Sequence, residues 1–189
     1  DGIDAADGWL ISGSKHGAYE DLPFIAPLED FLRKAYAAGR PIVGICFGHQ
    51  LITRALGGKV ERSDKGWGIG VASSRVVKHK NWMTPKQKQF NLVVSHQDQI
   101  TRLPYHAEVL AGNDFCPYGM IQLGEHFLGF QGHPEFSHKY CAALMNMRKE
   151  TISKQSFSKG VESLDCQTDD LLVMRWLINF LQATIFAQK

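Results

Sequence analysis

The stretch Pro41-Ile42-Val43-Gly44-Ile45-Cys46-Phe47-Gly48-His49-Gln50 constrains this chain more than any other, because a short apolar run ends on a cysteine with glycine two residues to either side. An apolar strand turning at once into a helix at G-x-C-x-G has the pattern of a nucleophile elbow, with cysteine in the attacking position. The glycines let neighbouring backbone pass close, and the turn points the thiol out at the carboxyl end of a sheet.

The flanking sequence supplies the elements such an elbow needs. Trp9-Leu10-Ile11 reads as a buried strand opening into the loop Ser12-Gly13-Ser14. Apolar residues at three- and four-residue spacing predict a helix from about Pro23 to Ala38, with Gly39 as its stop. After Cys46, Leu51, Ile52 and Leu56 continue a helical stripe to Gly57-Gly58. Strands follow: Trp67 to Val77, Phe90 to Ser95, Glu108 to Ala111, Gly119 to Leu123 and Phe127 to Gln131. Helices are expected at about Ser137 to Ile152 and Asp169 to Phe186, joined by a polar loop rich in serine and lysine. The strand-helix-strand opening argues for a parallel α/β sheet, with the middle strands added as an antiparallel part.

Composition excludes several classes. At 189 residues and 44% apolar content, the chain can bury a core as one domain, residues 1–189, without disulfides or a structural metal. A net charge of +2, with lysine and arginine scattered, predicts no nucleic-acid partner. Cysteines at 46, 116, 141 and 166 lack CxxC pairing or zinc spacing, so they read as reduced thiols of a cytoplasmic protein with no metal site. No run of 18 apolar residues predicts a membrane span. The segment Lys65-Gly66-Trp67-Gly68-Ile69-Gly70 is glycine-rich, but it lacks the order and ending of a phosphate loop and reads as a turn.

A nucleophilic cysteine needs a base, and the base needs an orienting group. Among eight histidines, His133 stands in Gly132-His133-Pro134-Glu135, where the strand from Phe127 ends and a helix should begin. The carboxyl ends of parallel strands form the functional edge of an open α/β sheet, so this places an imidazole on the rim that carries Cys46. Glu135 can accept from one ring nitrogen and hold the other toward the thiol. Cys46, His133 and Glu135 therefore form a candidate triad. The bland alternative is a buried cysteine beside a helix-capping His-Pro-Glu segment.

Gly44 to Gln50, Ser95-His96-Gln97-Asp98 and Gly132 to Glu135 together resemble the three signatures of class I glutamine amidotransferases, in their usual order. The resemblance covers roughly residues 8 to 140, and is strongest to free-standing members similar to the glutaminase part of GMP synthase and to γ-glutamyl peptidases. It implies a flavodoxin-like α/β three-layer sandwich, mostly parallel, with a small antiparallel extension. It also implies a strand and helix ahead of the Trp9 strand, which are expected to be missing from this sequence.

By the same resemblance, the Cys46 thiolate attacks the side-chain carboxamide of glutamine, His133 protonates the departing ammonia, and water hydrolyses the γ-glutamyl thioester without any cofactor. Backbone N–H groups of Gly13 and Phe47 form the oxyanion site. Gln50 lines the glutamine pocket and the segment Ser95, His96, Gln97 and Asp98 binds the substrate, the backbone at Gln97 and Asp98 holding its amino-acid end; the Asp98 carboxylate either binds the substrate ammonium or fixes the loop, and His96 is a satisfied pocket residue rather than a second base. With no synthase domain expected after it, the fate of ammonia stays open: transfer to an unknown acceptor such as a separate synthase subunit, or no transfer at all. Two alternatives stay open: a γ-glutamyl peptidase with the same triad, and a catalytically idle regulatory or binding module.

Overall fold

A computed structural model of the chain describes residues 2–186. In chain order the elements are β1 (Trp9–Ile11), α1 (Ile25–Ala37), β2 (Ile42–Ile45), α2 (Phe47–Ala55), β3 (Lys59–Arg62), β4 (Gly68–Val76) and β5 (Gln89–His96). There follow β6 (Asp98–Arg102), β7 (Ala107–Gly112), β8 (Met120–Leu123), β9 (Phe127–Phe130), α3 (His138–Met147), α4 (Lys154–Ser163) and α5 (Asp170–Phe186).

Seven strands among the described residues form one sheet in the order β1-β2-β9-β8-β7-β4-β5. β1, β2 and β9 run parallel, while the pairings from β9 through β8, β7 and β4 to β5 are antiparallel. The α/β class and the parallel, site-bearing strands match the sequence expectation, but the antiparallel part is larger than a small extension. The cause lies in the connections: short turns join β7 to β8 and β8 to β9, too short for the crossover a parallel pair requires.

Alternation along the strands splits the core into two layers. Ile42, Ile121 and Phe127 face α1 and α2, where they meet Leu32, Ala35, Leu51 and Ile52. Val43, Met120, Leu128 and Phe130 face the other way, onto Trp176, Leu177 and Phe180 of α5. A third cluster packs Val93 with Cys141 and Met145 of α3. α1 stops where expected, with Gly39 at φ 70 accommodating the turn.

Two features differ from the sequence reading. The polar loop after α3 contains α4, capped by Ser153, whose side chain accepts from the Ser156 N–H. Gly160 seats this helix: a Cβ there would lie 2.8 Å from Met145 Cε and 3.0 Å from Ile69 Cγ1. Few apolar residues mark α4, so its composition resembles a loop. The second feature is the separate antiparallel pair β3 and β6, whose segments bury only Val60, Gln99 and Ile100. That burial is too sparse for a period-two signal.

Candidate active site

Three parallel strands end on one rim. β1 leads into Ser12-Gly13, β2 into Cys46, and β9 into Gln131-Gly132-His133. The register aligns Ile11 with Gly44 and Ile45 with Phe130. The Cys46 N–H donates to the Phe130 carbonyl at 2.7 Å, and the His133 N–H donates to the Val93 carbonyl of β5 at 2.8 Å.

Cys46 sits at φ 52 immediately before α2, a conformation that side chains with a Cβ seldom adopt. Gly44 and Gly48 make room for this turn. A Cβ on Gly44 would lie 2.5 Å from the Gly48 carbonyl carbon, and one on Gly48 would strike the Ile11 carbonyl. The Phe47 N–H, in the first turn of α2, has no acceptor within its own helix.

His133 joins Cys46 to Glu135. Its Nδ1–H donates to Glu135 Oε1 at 2.7 Å, and the imidazole also hydrogen-bonds Cys46, which falls to Nε2 because Nδ1 is engaged. Burial by itself would lower the His133 pKa, but the hydrogen bonds and charges of Cys46 and Glu135 outweigh it and carry the imidazole up to about 9. The Phe136 ring stacks on the imidazole at 3.9 Å and 6°. Gly13 completes the corner: a Cβ there would come within 2.9 Å of His133 Cε1 and 3.8 Å of Cys46 Cβ.

The segment Ser95 to Asp98 closes the other side. Burial lowers the His96 pKa to about 4, so the ring is neutral near pH 7, and it hydrogen-bonds through Nδ1 to the Asp98 carbonyl at 3.1 Å. The ring is therefore buried with one nitrogen engaged by backbone. Gln50 Nε2 donates to the Asp98 carbonyl at 2.8 Å and to Gln131 Oε1 at 3.1 Å. Both of its donors are thus occupied, and only its own oxygen remains to meet a ligand. The Gln97 carbonyl accepts from the Ser63 N–H. Asp98 is partly buried, which raises its carboxyl pKa, and Tyr19 Oη donates to its Oδ1 at 3.0 Å.

Sequence reasoning missed two residues. Gln131 Nε2 lies 3.5 Å from Cys46 Sγ, and Arg148 donates to Ser95 Oγ at 2.8 Å while standing over the Trp67 ring, 5.2 Å from its centroid. Gln131 adjoins the Gly132 motif and could have been read from that adjacency. Arg148 lies beyond α3, and nothing in its local sequence marks it.

Two clefts meet at Cys46. One of about 320 Å³ is walled by Tyr19, Gln50, His96 and Asp98. The other, of about 480 Å³, opens beside Gly13, His133 and Phe136. Among the described residues, no group of three or more His, Cys, Asp or Glu side chains is placed to hold a metal ion, and no helix is long and apolar enough to cross a membrane.

The fold and its rim define an α/β protein of the flavodoxin-like kind with a site centred on a cysteine. Comparison with known proteins narrows the class. Residues 3–146 match the family described as glutamine amidotransferase class-I, and the chain belongs to that family. It is 32% identical over 192 residues to gamma-glutamyl peptidase 3 of Arabidopsis thaliana, an alignment covering 95% of this chain and 76% of the plant protein. It is 39% identical over 132 residues to the glutamine-hydrolyzing GMP synthase of Aquifex aeolicus, covering 69% of this chain but 25% of that protein. The crystal structure of a glutamine amidotransferase from Thermotoga maritima superposes with a TM-score of 0.74 at 20% identity, covering 93% of this chain and 77% of the other. That likeness establishes the shared fold.

Proposed function

We propose that this protein hydrolyses the amide of a γ-glutamyl group through a thioester on Cys46. One observation carries the reading: a single imidazole hydrogen-bonds both Cys46 and Glu135 at the strand rim. His133 takes the thiol proton, and Sγ attacks the γ-carbonyl carbon. The oxyanion is met by the N–H groups of Phe47 and Gly13. His133 then gives its proton to the departing nitrogen as the C–N bond breaks, and water attacks the thioester with His133 as base, releasing glutamate and restoring the thiol.

Glutamine is the simplest substrate, with ammonia as the leaving group and a separate synthase subunit in the cytoplasm as its acceptor. In this reading Asp98, Gln50 and the Ser95 to Gln97 segment hold the amino-acid end in the smaller cleft. The relatives named as GMP synthases support this version. A second version, cleavage of γ-glutamyl peptides, is favoured by the larger cleft beside His133 and by relatives named as gamma-glutamyl peptidases.

An electrophilic glutamine analogue tests both versions. It should label Cys46 stoichiometrically and abolish amide hydrolysis, and the Cys46→Ala variant should take no label and hydrolyse no amide. Hydrolysis that survives in Cys46→Ala would sink the reading.

A further inference from the structure

We propose that the cleft beside His133 is a leaving-group subsite for the γ-glutamyl amide of an apolar amino acid, with Arg148 as the anchor of that amino acid's carboxylate. The inference rests on the Cys46 and His133 chemistry above and deepens it. A proton from His133 reaches only a nitrogen on its own side of Cys46, so whatever leaves must depart through the cleft that His133 borders. Ammonia is about the size of water, whose share of liquid volume is ~30 Å³. A cleft of about 480 Å³ is far larger than ammonia requires and accommodates an amino acid.

The lining specifies what kind. Tyr140, Leu144 and Met147 follow one another on α3 at i, i+4 and i+7, so they form one stripe facing the cleft. Phe136 continues the stripe to the imidazole it stacks on, and the Tyr140 ring meets Phe136 edge-on at 4.5 Å. Tyr140 is 49% exposed and Met147 76%, an apolar surface open to water next to the proposed nucleophile. The lining also carries two cations, Lys15 and Arg148, which stand where this cleft meets the smaller one and line both. Arg148 is held in place by Ser95 and Trp67, yet forms no ion pair among the described residues. A positioned guanidinium presents a fork suited to a carboxylate. The one acidic side chain in the lining, Glu135, is engaged by His133. An apolar body with an anionic end fits this lining; a lysine-like side chain would face Arg148 and Lys15 with like charge.

The test compares kcat/KM for glutamine, γ-glutamyl-phenylalanine, its carboxyl-amidated form and γ-glutamyl-lysine, in wild type, Arg148→Gln and Tyr140→Ala. Wild type should prefer γ-glutamyl-phenylalanine over the amidated and lysine forms by tenfold or more. Arg148→Gln should lower the phenylalanine substrate at least tenfold more than its amidated form, and Tyr140→Ala should lower it at least fivefold more than glutamine. Equal losses on glutamine and γ-glutamyl-phenylalanine in Arg148→Gln would assign Arg148 to the glutamyl end and overturn the proposal. A preference appearing only at protein concentrations where the chain self-associates would assign the stripe to a second copy, and would overturn it too. Labelling of Cys46 by the electrophilic analogue, which needs no amino-acid leaving group, is scored in parallel. Full labelling with no discrimination among leaving groups sinks the subsite alone, whereas absent labelling sinks the underlying chemistry.

Discussion

Gly13 and His133, 120 positions apart in the chain, approach so closely that a Cβ on the first would stand 2.9 Å from Cε1 of the second. The loop after β1 therefore has a backbone path that only glycine permits while the imidazole keeps its place between Cys46 and Glu135. Gly13 itself is exposed, so an added methyl displaces the ring rather than disrupting the core. Gly13→Ala should lose a hundredfold or more in kcat, since an ångström of misplacement is enough for that, while its thermal midpoint stays within about 2 °C of wild type. Equal losses of activity and stability would instead place the effect in folding.

The elbow glycines should behave in the opposite way. A Cβ on Gly44 or Gly48 meets backbone of α2 or β1, which cannot swing aside like a side-chain end. Each alanine variant should lose about 3 kcal/mol or more of unfolding free energy, read from the denaturant midpoint. The φ of 52 at Cys46 adds a companion measurement. Cys46→Gly removes the strained Cβ and should be about 1 kcal/mol more stable than Cys46→Ala. A less stable glycine variant would mean that the turn holds no such strain.

Glu135 should confer a stability that depends on pH. His133 in the folded chain titrates near 9, above the ~6.5 of an unfolded histidine, so its protonation stabilises the fold fully below about pH 6.5 and the gain is lost as pH rises through about 9. Glu135→Gln removes one of the two groups that raise this value. The stability gap between wild type and Glu135→Gln, measured by denaturation from pH 6 to 10, should be widest at the acid end and close above pH 9. A gap that is flat across this range would mean that Glu135 does not bias the imidazole.

The legible parts of the sequence were those where chemistry forces a fixed spacing. Gly44, Cys46 and Gly48 must lie two apart for the turn to form, and His133 and Glu135 must lie two apart for one side chain to reach the other. Both patterns survive in a single sequence. The strands around them were legible because Val43, Leu128 and Phe130 are buried in unbroken apolar runs. α4 was hidden because serine and lysine supply its cap and its solvent face, and its packing on the core is shared by Phe157 and by Gly160, which leaves no apolar signal. β3 and β6 were hidden because each sends a single apolar side chain, Val60 or Ile100, into the core, too few to make a pattern. Arg148 escaped notice for a related reason: its position over Trp67 and against Ser95 is made by tertiary packing, 53 residues beyond Ser95.

Gln131 offers a last and sharper test, since it is buried and touches both Cys46 Sγ and Gln50. Two roles are distinguishable. If Gln131 chiefly braces Gln50, a carboxylate in its place still accepts from Gln50 Nε2, and Gln131→Glu should be milder than Gln131→Leu in every assay. If its amide N–H chiefly stabilises negative charge on sulfur, Gln131→Glu replaces a donor with an anion beside the thiolate, which like charge disfavours. The geometry favours the second role for reactivity, because Gln50 keeps its other partner, the Asp98 carbonyl, when Gln131 is lost. Alkylation of Cys46 by the glutamine analogue should therefore slow about tenfold in Gln131→Leu and a further tenfold in Gln131→Glu. Unfolding free energy should fall by about 1–2 kcal/mol in Gln131→Leu, where a buried donor loses a partner. Faster alkylation in Gln131→Glu than in Gln131→Leu would reduce Gln131 to a brace.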